Sequence, residues 1–136
     1  MSGEIPRTAR TALVVDDDTR LRKVVNGYLR ELGILAIEAH ASRAAMRQLA
    51  ELRPDIICLD TVLPEISGYA LCEHIRRVPQ LRKTPVLLMS ERGLPEDRAL
   101  AEEVGATAYI RKPFRRADFC REVGLLLNGK LPVQPG

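Results

Sequence analysis

The sequence predicts an α/β domain built as a doubly wound parallel sheet, and three observations carry that expectation. Short apolar runs alternate with helix-spaced amphipathic segments, five of each. The runs at 13–15, 56–59 and 86–89 are apolar on consecutive residues, as strands covered by helices on both faces require. Four runs also end in polar groups suited to a phosphoryl group: Asp16-Asp17 after Val15, Asp60 after Leu59, Ser90 after Met89, and Arg111-Lys112 after Ile110. In an open parallel sheet, ligands bind outside the carboxyl ends of the strands, so a shared position after the strand is a functional signal.

Each element follows from local pattern. After the strand at 13–15, Leu21, Val24, Val25, Tyr28, Leu29 and Leu32 recur at the spacing of one helix face, and Gly33 supplies a left-handed stop. Ile34–Ala39 reads as a strand. Ser42 is expected to cap a second helix running to about Leu52, where Arg53-Pro54 breaks it before the strand at 56–59. Leu63-Pro64 opens a loop, 68–76 forms a third helix, and 79–85 connects to the strand beginning at Val86. Pro95 suits the first position of a fourth helix ending near Val104-Gly105. A short strand at 108–110 precedes a fifth helix with Phe119, Val123, Leu126 and Leu127 on its apolar stripe. Right-handed crossovers then leave a three-layer sandwich as the natural topology.

A chain of 136 residues fits one domain with one core, leaving no room for a second catalytic or DNA-reading unit. Residues 1–10 and 129–136 read as tails around a domain at 11–128. No apolar stretch approaches the ~18 residues of a membrane span, and residues 1–10 lack the apolar block of a signal peptide, so the expectation is a cytoplasmic protein. Cys58, Cys72 and Cys120 form no metal or disulfide spacing and are expected to be buried thiols. Met46 and Met89 read as core filler, and His40 and His74 belong to no motif. A net charge of +3 does not by itself imply nucleic acid, and the basic run Arg111-Lys112-Pro113-Phe114-Arg115-Arg116 is best read as a solvated turn rim.

The chemistry follows from charge. If Asp16, Asp17 and Asp60 lie within about 4 Å of one another, each ionised pair repels by roughly 4 kcal/mol at an effective dielectric near 20. A proton or a hard divalent cation must relieve that repulsion, and Mg²⁺ with Lys112 closes the formal charge. Asp60 stands alone after a buried run and is the nucleophile candidate, while Asp16 and Asp17 form an ion-holding pair. Ser90 and Lys112 could serve the equatorial phosphoryl oxygens. Asp18, in contrast, reads as a plain helix cap.

Taken together, Val14-Val15-Asp16-Asp17, Leu59-Asp60 with Leu63-Pro64 and Gly68, Met89-Ser90, and Tyr109-Ile110-Arg111-Lys112-Pro113-Phe114 resemble the receiver domain of two-component response regulators. The resemblance spans about residues 11–128 and implies a flavodoxin-like sheet of strand order 2-1-3-4-5 with five helices. It implies that Asp60 accepts phosphate from a sensor histidine kinase or a histidine phosphotransfer protein. Asp17, Asp60 and the Val62 backbone carbonyl would then bind Mg²⁺, with Asp16 acting mostly through water. Ser90 and Lys112 would contact the phosphoryl group. Tyr109 would turn inward as Ser90 moves, altering the face of the fourth helix, fifth strand and fifth helix that meets a downstream protein. The Lys112-Pro113 bond would be cis. Such a domain signals, catalysing only its own phosphotransfer and dephosphorylation, and the resemblance leaves open a dimer formed on phosphorylation.

Two positions depart from the family pattern: Glu91 stands after Ser90 in place of a small residue, and Ser67 precedes Gly68 in place of Asp. Glu91 could narrow access of the phosphodonor or repel it. Val62 and Arg92 occupy positions that tune phosphate lifetime in the family. The alternatives are a haloacid-dehalogenase-like phosphatase using Asp16, an atypical receiver that Glu91 has closed to phosphate, and the receiver part of a longer transcription factor.

Overall fold

The computed structural model describes residues 9–128, in which five strands alternate with five helices. They are β1 (Arg10–Val15), α1 (Thr19–Glu31), β2 (Ile34–Ala39), α2 (Ser42–Glu51), β3 (Ile56–Asp60), α3 (Gly68–Arg77), β4 (Val86–Ser90), α4 (Pro95–Glu103), β5 (Ala108–Arg111) and α5 (Arg116–Leu127). A single 3₁₀ turn, Pro79–Leu81, lies in the connection before β4. All strand pairs are parallel and the order is β2-β1-β3-β4-β5, the flavodoxin-like order expected. Apart from residues 9 and 10, the expected tails lie outside the described residues, and Arg10 already belongs to β1.

Side-chain alternation explains the continuous apolar runs. Leu13, Val15, Ile57, Leu59 and Leu88 point to a core shared with α2, α3 and Ala101 of α4. Ala12, Val14, Ile56, Cys58, Leu87 and Met89 point to a second core with α1 and α5. Both faces of the central strands are therefore closed to water, and β3 and β4 are buried at every residue.

The structure corrects the sequence reading in three places. On α1 only Val25 and Leu29 are fully buried, whereas Val24 is 44% exposed and Leu32, just past the helix at its C-cap, is 43% exposed, because the helix meets the sheet along a stripe narrower than its apolar face. Cys58 and Cys72 are buried as expected, but Cys120 is only half-buried. Ser42 does not cap α2: the N-cap is Ala41, without a side-chain bond, and the Ser42 hydroxyl turns to Pro64 in the loop between β3 and α3.

Arg76 ties the second half of the sandwich together. Its half-buried guanidinium donates to the carbonyls of Gly105 (2.8 Å), Leu81 (3.0 Å) and Thr84 (2.8 Å), and lies 3.2 Å from Thr107 Oγ1. Replacing Arg76 by Met leaves these carbonyls without their donor. We expect a loss of about 2–4 kcal/mol in denaturant unfolding, with Arg76→Lys recovering part of it.

Candidate functional site

The carboxyl ends of β1, β3, β4 and β5 bring together the polar residues that the sequence had singled out. Asp60 and Ser90 are the last residues of their strands, paired in register with Met89 and Arg111, so backbone pairing continues through both. Asp16 directly follows β1 and its amide still bonds to Ala39. A cavity of about 450 Å³ opens among these ends, and Asp16, Asp17, Asp60, Val62, Ser90 and Lys112 all line it.

Asp16 is completely buried, and both its oxygens are engaged: Oδ1 accepts from the Asp18 amide at 2.9 Å and Oδ2 lies 2.9 Å from Lys112 Nζ. Lys112 Nζ also lies 3.2 Å from Asp60 Oδ1, bridging the two acids. Asp17 is exposed and free of these contacts, turned toward the cavity. Asp18 caps α1 as expected, accepting from Arg20 and Leu21 amides at 2.9 and 3.3 Å. Asp16, Asp17 and Asp60 each offer an oxygen within 4.8 Å of the other two. Three ionised carboxylates and one ammonium group leave a formal charge of −2, which a divalent cation would close. An all-oxygen donor set of this kind suits Mg²⁺.

Electrostatics separate the two bridged groups. Burial, and then the charge of Asp16, raise the Asp60 carboxyl above its usual 3.8, with Lys112 and the Val62 amide offsetting this only in part. For Lys112, burial alone would lower the pKa, but the hydrogen bond to Asp16 and the charges of Asp60 and Asp16 outweigh it, so the ammonium titrates above its usual 10.5. The contribution of Lys112 to stability is thus fully present below pH 10.5 and is lost as pH rises through the elevated value.

Packing behind the site fixes Lys112. The Lys112-Pro113 bond is cis, the Lys112 amide donates to the Ser90 carbonyl at 2.7 Å, and Phe114 stacks on buried Phe119 with centroids 5.2 Å apart. Ser90 is 3% exposed and its Oγ accepts from the Arg92 amide at 3.1 Å. The Arg92 carbonyl in turn accepts from the Tyr109 hydroxyl. Tyr109 is half-buried against the core, with Arg98 over its ring at 5.1 Å, so a continuous chain of contacts runs from Ser90 to β5 and α4.

Glu91 is exposed and stands between the cavity and a second recess of about 410 Å³ lined by Leu21, Val24, Pro113 and Phe114. It sits on a rim and does not fill the acidic cavity. Val62 is 75% exposed, so most of its surface lies open to solvent. Thr61, Tyr69 and Asp97 also line the cavity and were not anticipated. Asp97 had a readable signal, since it stands third in a helix opened by Pro95; it accepts from the Leu94 amide and pairs with Arg92 at 3.1 Å. Tyr69 had none, because only the packing of α3 brings it there.

Known proteins share this fold and its sequence pattern. Residues 12–123 match the family described as the response regulator receiver domain. The chain is 41% identical to the phosphate regulon transcriptional regulatory protein PhoB of Escherichia coli over 125 residues, 92% of this chain and 55% of that protein. It is 29% identical to Protein PilG of Pseudomonas aeruginosa over 121 residues, 89% of this chain and 90% of that protein. The chain thus spans about half the length of the PhoB relatives it matches. Among solved structures, the chemotaxis response regulator CheY4 of Vibrio cholerae superposes with a TM-score of 0.84 at 27% identity, covering 88% of this chain and 99% of that one. The receiver domain of a Pseudomonas aeruginosa sensor histidine kinase, with magnesium coordinated in its active-site cleft, gives 0.82 at 27% identity, covering 89% and 99%.

Proposed function

Because this chain belongs to the response regulator receiver domain family, we propose that it is the phosphoacceptor of a two-component relay, taking a phosphoryl group on Asp60 and passing the signal to a protein partner. The observation that carries this reading is the convergence of Asp60, Asp16 and Asp17 with Lys112 at one sheet edge. A phosphatase nucleophile at Asp16 is disfavoured by the same geometry, since both Asp16 oxygens are engaged and Asp16 is fully buried.

Mg²⁺ bound by Asp17, Asp60 and the Val62 carbonyl, with Asp16 acting through water, would neutralise charge on the acids and on the phosphoryl oxygens. An Asp60 oxygen attacks phosphorus; the new O–P bond forms as the bond to the donor's imidazole nitrogen, or to an acyl oxygen, breaks and that group departs with the electron pair. Lys112 releases its bridge to Asp60 and donates to the transferred phosphoryl group. Ser90 Oγ donates to it as well, which draws Arg92 and Tyr109 along the contacts already in place. The face of α4, β5 and α5 changes as a result, and a downstream protein reads it. The phosphodonor is a sensor histidine kinase or histidine phosphotransfer protein, and the site of action is the cytoplasm. No described helix is long and apolar enough to cross a membrane.

The test uses beryllofluoride as a phosphoryl mimic with Mg²⁺, read by amide chemical shifts. We expect large shifts from Ser90 to Tyr109 only when both are present. Lys112→Met should slow labelling by a small acyl-phosphate donor by about tenfold or more, the loss of one charge-assisted hydrogen bond. Absence of any Mg²⁺-dependent shift at Asp60, Ser90 and Tyr109 would overturn the reading.

A further inference from the structure

Helix α2 begins without a cap of its own, because Ala41 at the N-cap position offers no side-chain acceptor. Its first amides therefore need partners from elsewhere. One comes from the loop between β3 and α3: Glu65 Oε1 accepts from the Arg43 amide at 2.8 Å. The Ser42 hydroxyl, 1% exposed, points into the same loop. It can donate to the Pro64 carbonyl (3.0 Å) or to Glu65 Oε1 (3.2 Å), and it accepts from the Ile66 amide at 3.1 Å. Three consecutive loop residues are thus fastened to the first two residues of one helix.

Glu65 does this from a conformation that side chains disfavour. Its φ is +83°, and it is the one non-glycine residue with positive φ among the described residues. A glycine would adopt this backbone freely, but could not supply the carboxylate. The bond from Arg43, followed by weaker contributions from Ser42 and nearby arginines, holds the Glu65 carboxyl below its usual range, and a negative charge there also suits the N-terminal end of a helix.

The loop has few other supports. Its ends are held where the Thr61 amide bonds to Met89 (3.0 Å) and the Gly68 amide to Thr61 (2.9 Å). Between them Leu63 packs against the core, while Val62 and Ile66 are exposed. We infer that Ser42 and Glu65 are positioning residues for the cation site: they fasten the loop leaving Asp60 to α2, so that Val62 keeps its place beside the Asp60 and Asp17 carboxylates. This rests on the Mg²⁺ site proposed above, toward which these two residues act only through the loop.

The experiment titrates the full chain with Mg²⁺ alone, by calorimetry, for the wild type, Glu65→Gly, Glu65→Gln and Ser42→Ala, and measures amide exchange at Arg43 and Ile66. Glu65→Gly and Ser42→Ala should each weaken Mg²⁺ binding by about fivefold and speed exchange at those amides. Glu65→Gln keeps an acceptor oxygen and should stay within about twofold of the wild type. Glu65→Gly removes a backbone conflict, so it is expected to fold. Arg76→Met serves as control, lowering stability while leaving Mg²⁺ affinity unchanged. Wild-type affinity in both Glu65→Gly and Ser42→Ala would overturn this inference alone. A wild type that binds no Mg²⁺ would instead overturn the site proposed above, and this inference with it.

Discussion

Asp60→Asn is expected to abolish phosphoryl incorporation from a small acyl-phosphate donor while making the metal-free protein more stable at neutral pH. The first effect follows because the amide has no anionic oxygen to attack phosphorus, and neither Asp16 nor Asp17 takes over. Asp16 is enclosed and bonded, and Asp17 stands at the edge of the cavity. The second effect follows from linkage. The Asp60 carboxyl is raised above 3.8 in the fold by burial and by the charge of Asp16. Its favourable contribution is therefore fully present below pH 3.8 and is lost as pH rises through the folded value, so at neutral pH the ionised group weighs against the fold. Asparagine removes that cost, and the melting temperature should rise by a few degrees at pH 7 but not near pH 3. Mg²⁺ reverses the ranking: at a concentration one hundred times its dissociation constant it should stabilise the wild type by about 2.7 kcal/mol and the variant by much less. Thermal melts of both proteins at two pH values, with and without Mg²⁺, check all of this.

Gly68→Ala is expected to have the largest effect on the fold of any single methyl group added near the site. A Cβ at this position would lie 1.9 Å from the Asp60 carbonyl oxygen and 2.8 Å from both the Asp60 carbonyl carbon and Thr61 Cα. All three are backbone atoms, so no side chain can swing aside. The requirement is close approach: the first turn of α3 rests directly on the backbone that leaves β3, and the Gly68 amide bonds to Thr61. Alanine forces α3 away from Asp60, at a cost of about 3 kcal/mol or more. Mg²⁺ binding should weaken along with stability, because the displaced segment is the one that carries Asp60 and Thr61. Denaturant unfolding and a Mg²⁺ titration of the same variant measure the two losses. Wild-type stability in Gly68→Ala would contradict this packing.

How much of this was legible in the sequence depended on whether the cause was local. The strands β1, β3 and β4 were readable because burial on both faces leaves no polar residue to interrupt them. The acids and Lys112 were readable because topology places every strand end at one edge. Asp60 and Ser90, expected just past their strands, instead complete them, since strand pairing does not stop where side-chain polarity changes. Ser42 was misread for a physical reason: its residue type favours an N-cap, but its hydroxyl found better partners in Pro64 and Ile66, which lie more than twenty residues away in sequence. Tyr69 and the Arg92 bridge between Ser90 and Tyr109 exist only through tertiary packing, and no spacing in the chain announces them. Glu91 stood out in the sequence as a bulky anion beside Ser90, and the fold places it on the rim between two recesses.

The proposed function places the phosphoryl group on Asp60, and that residue can be identified chemically. Labelling with an acyl-phosphate donor and Mg²⁺, followed by borohydride reduction and peptide mass spectrometry, converts an aspartyl phosphate to homoserine and so marks the residue chemically. Homoserine is expected at position 60, dependent on Mg²⁺ and absent in Asp60→Asn. Homoserine at position 16 or 17, or labelling that persists in Asp60→Asn, would contradict it.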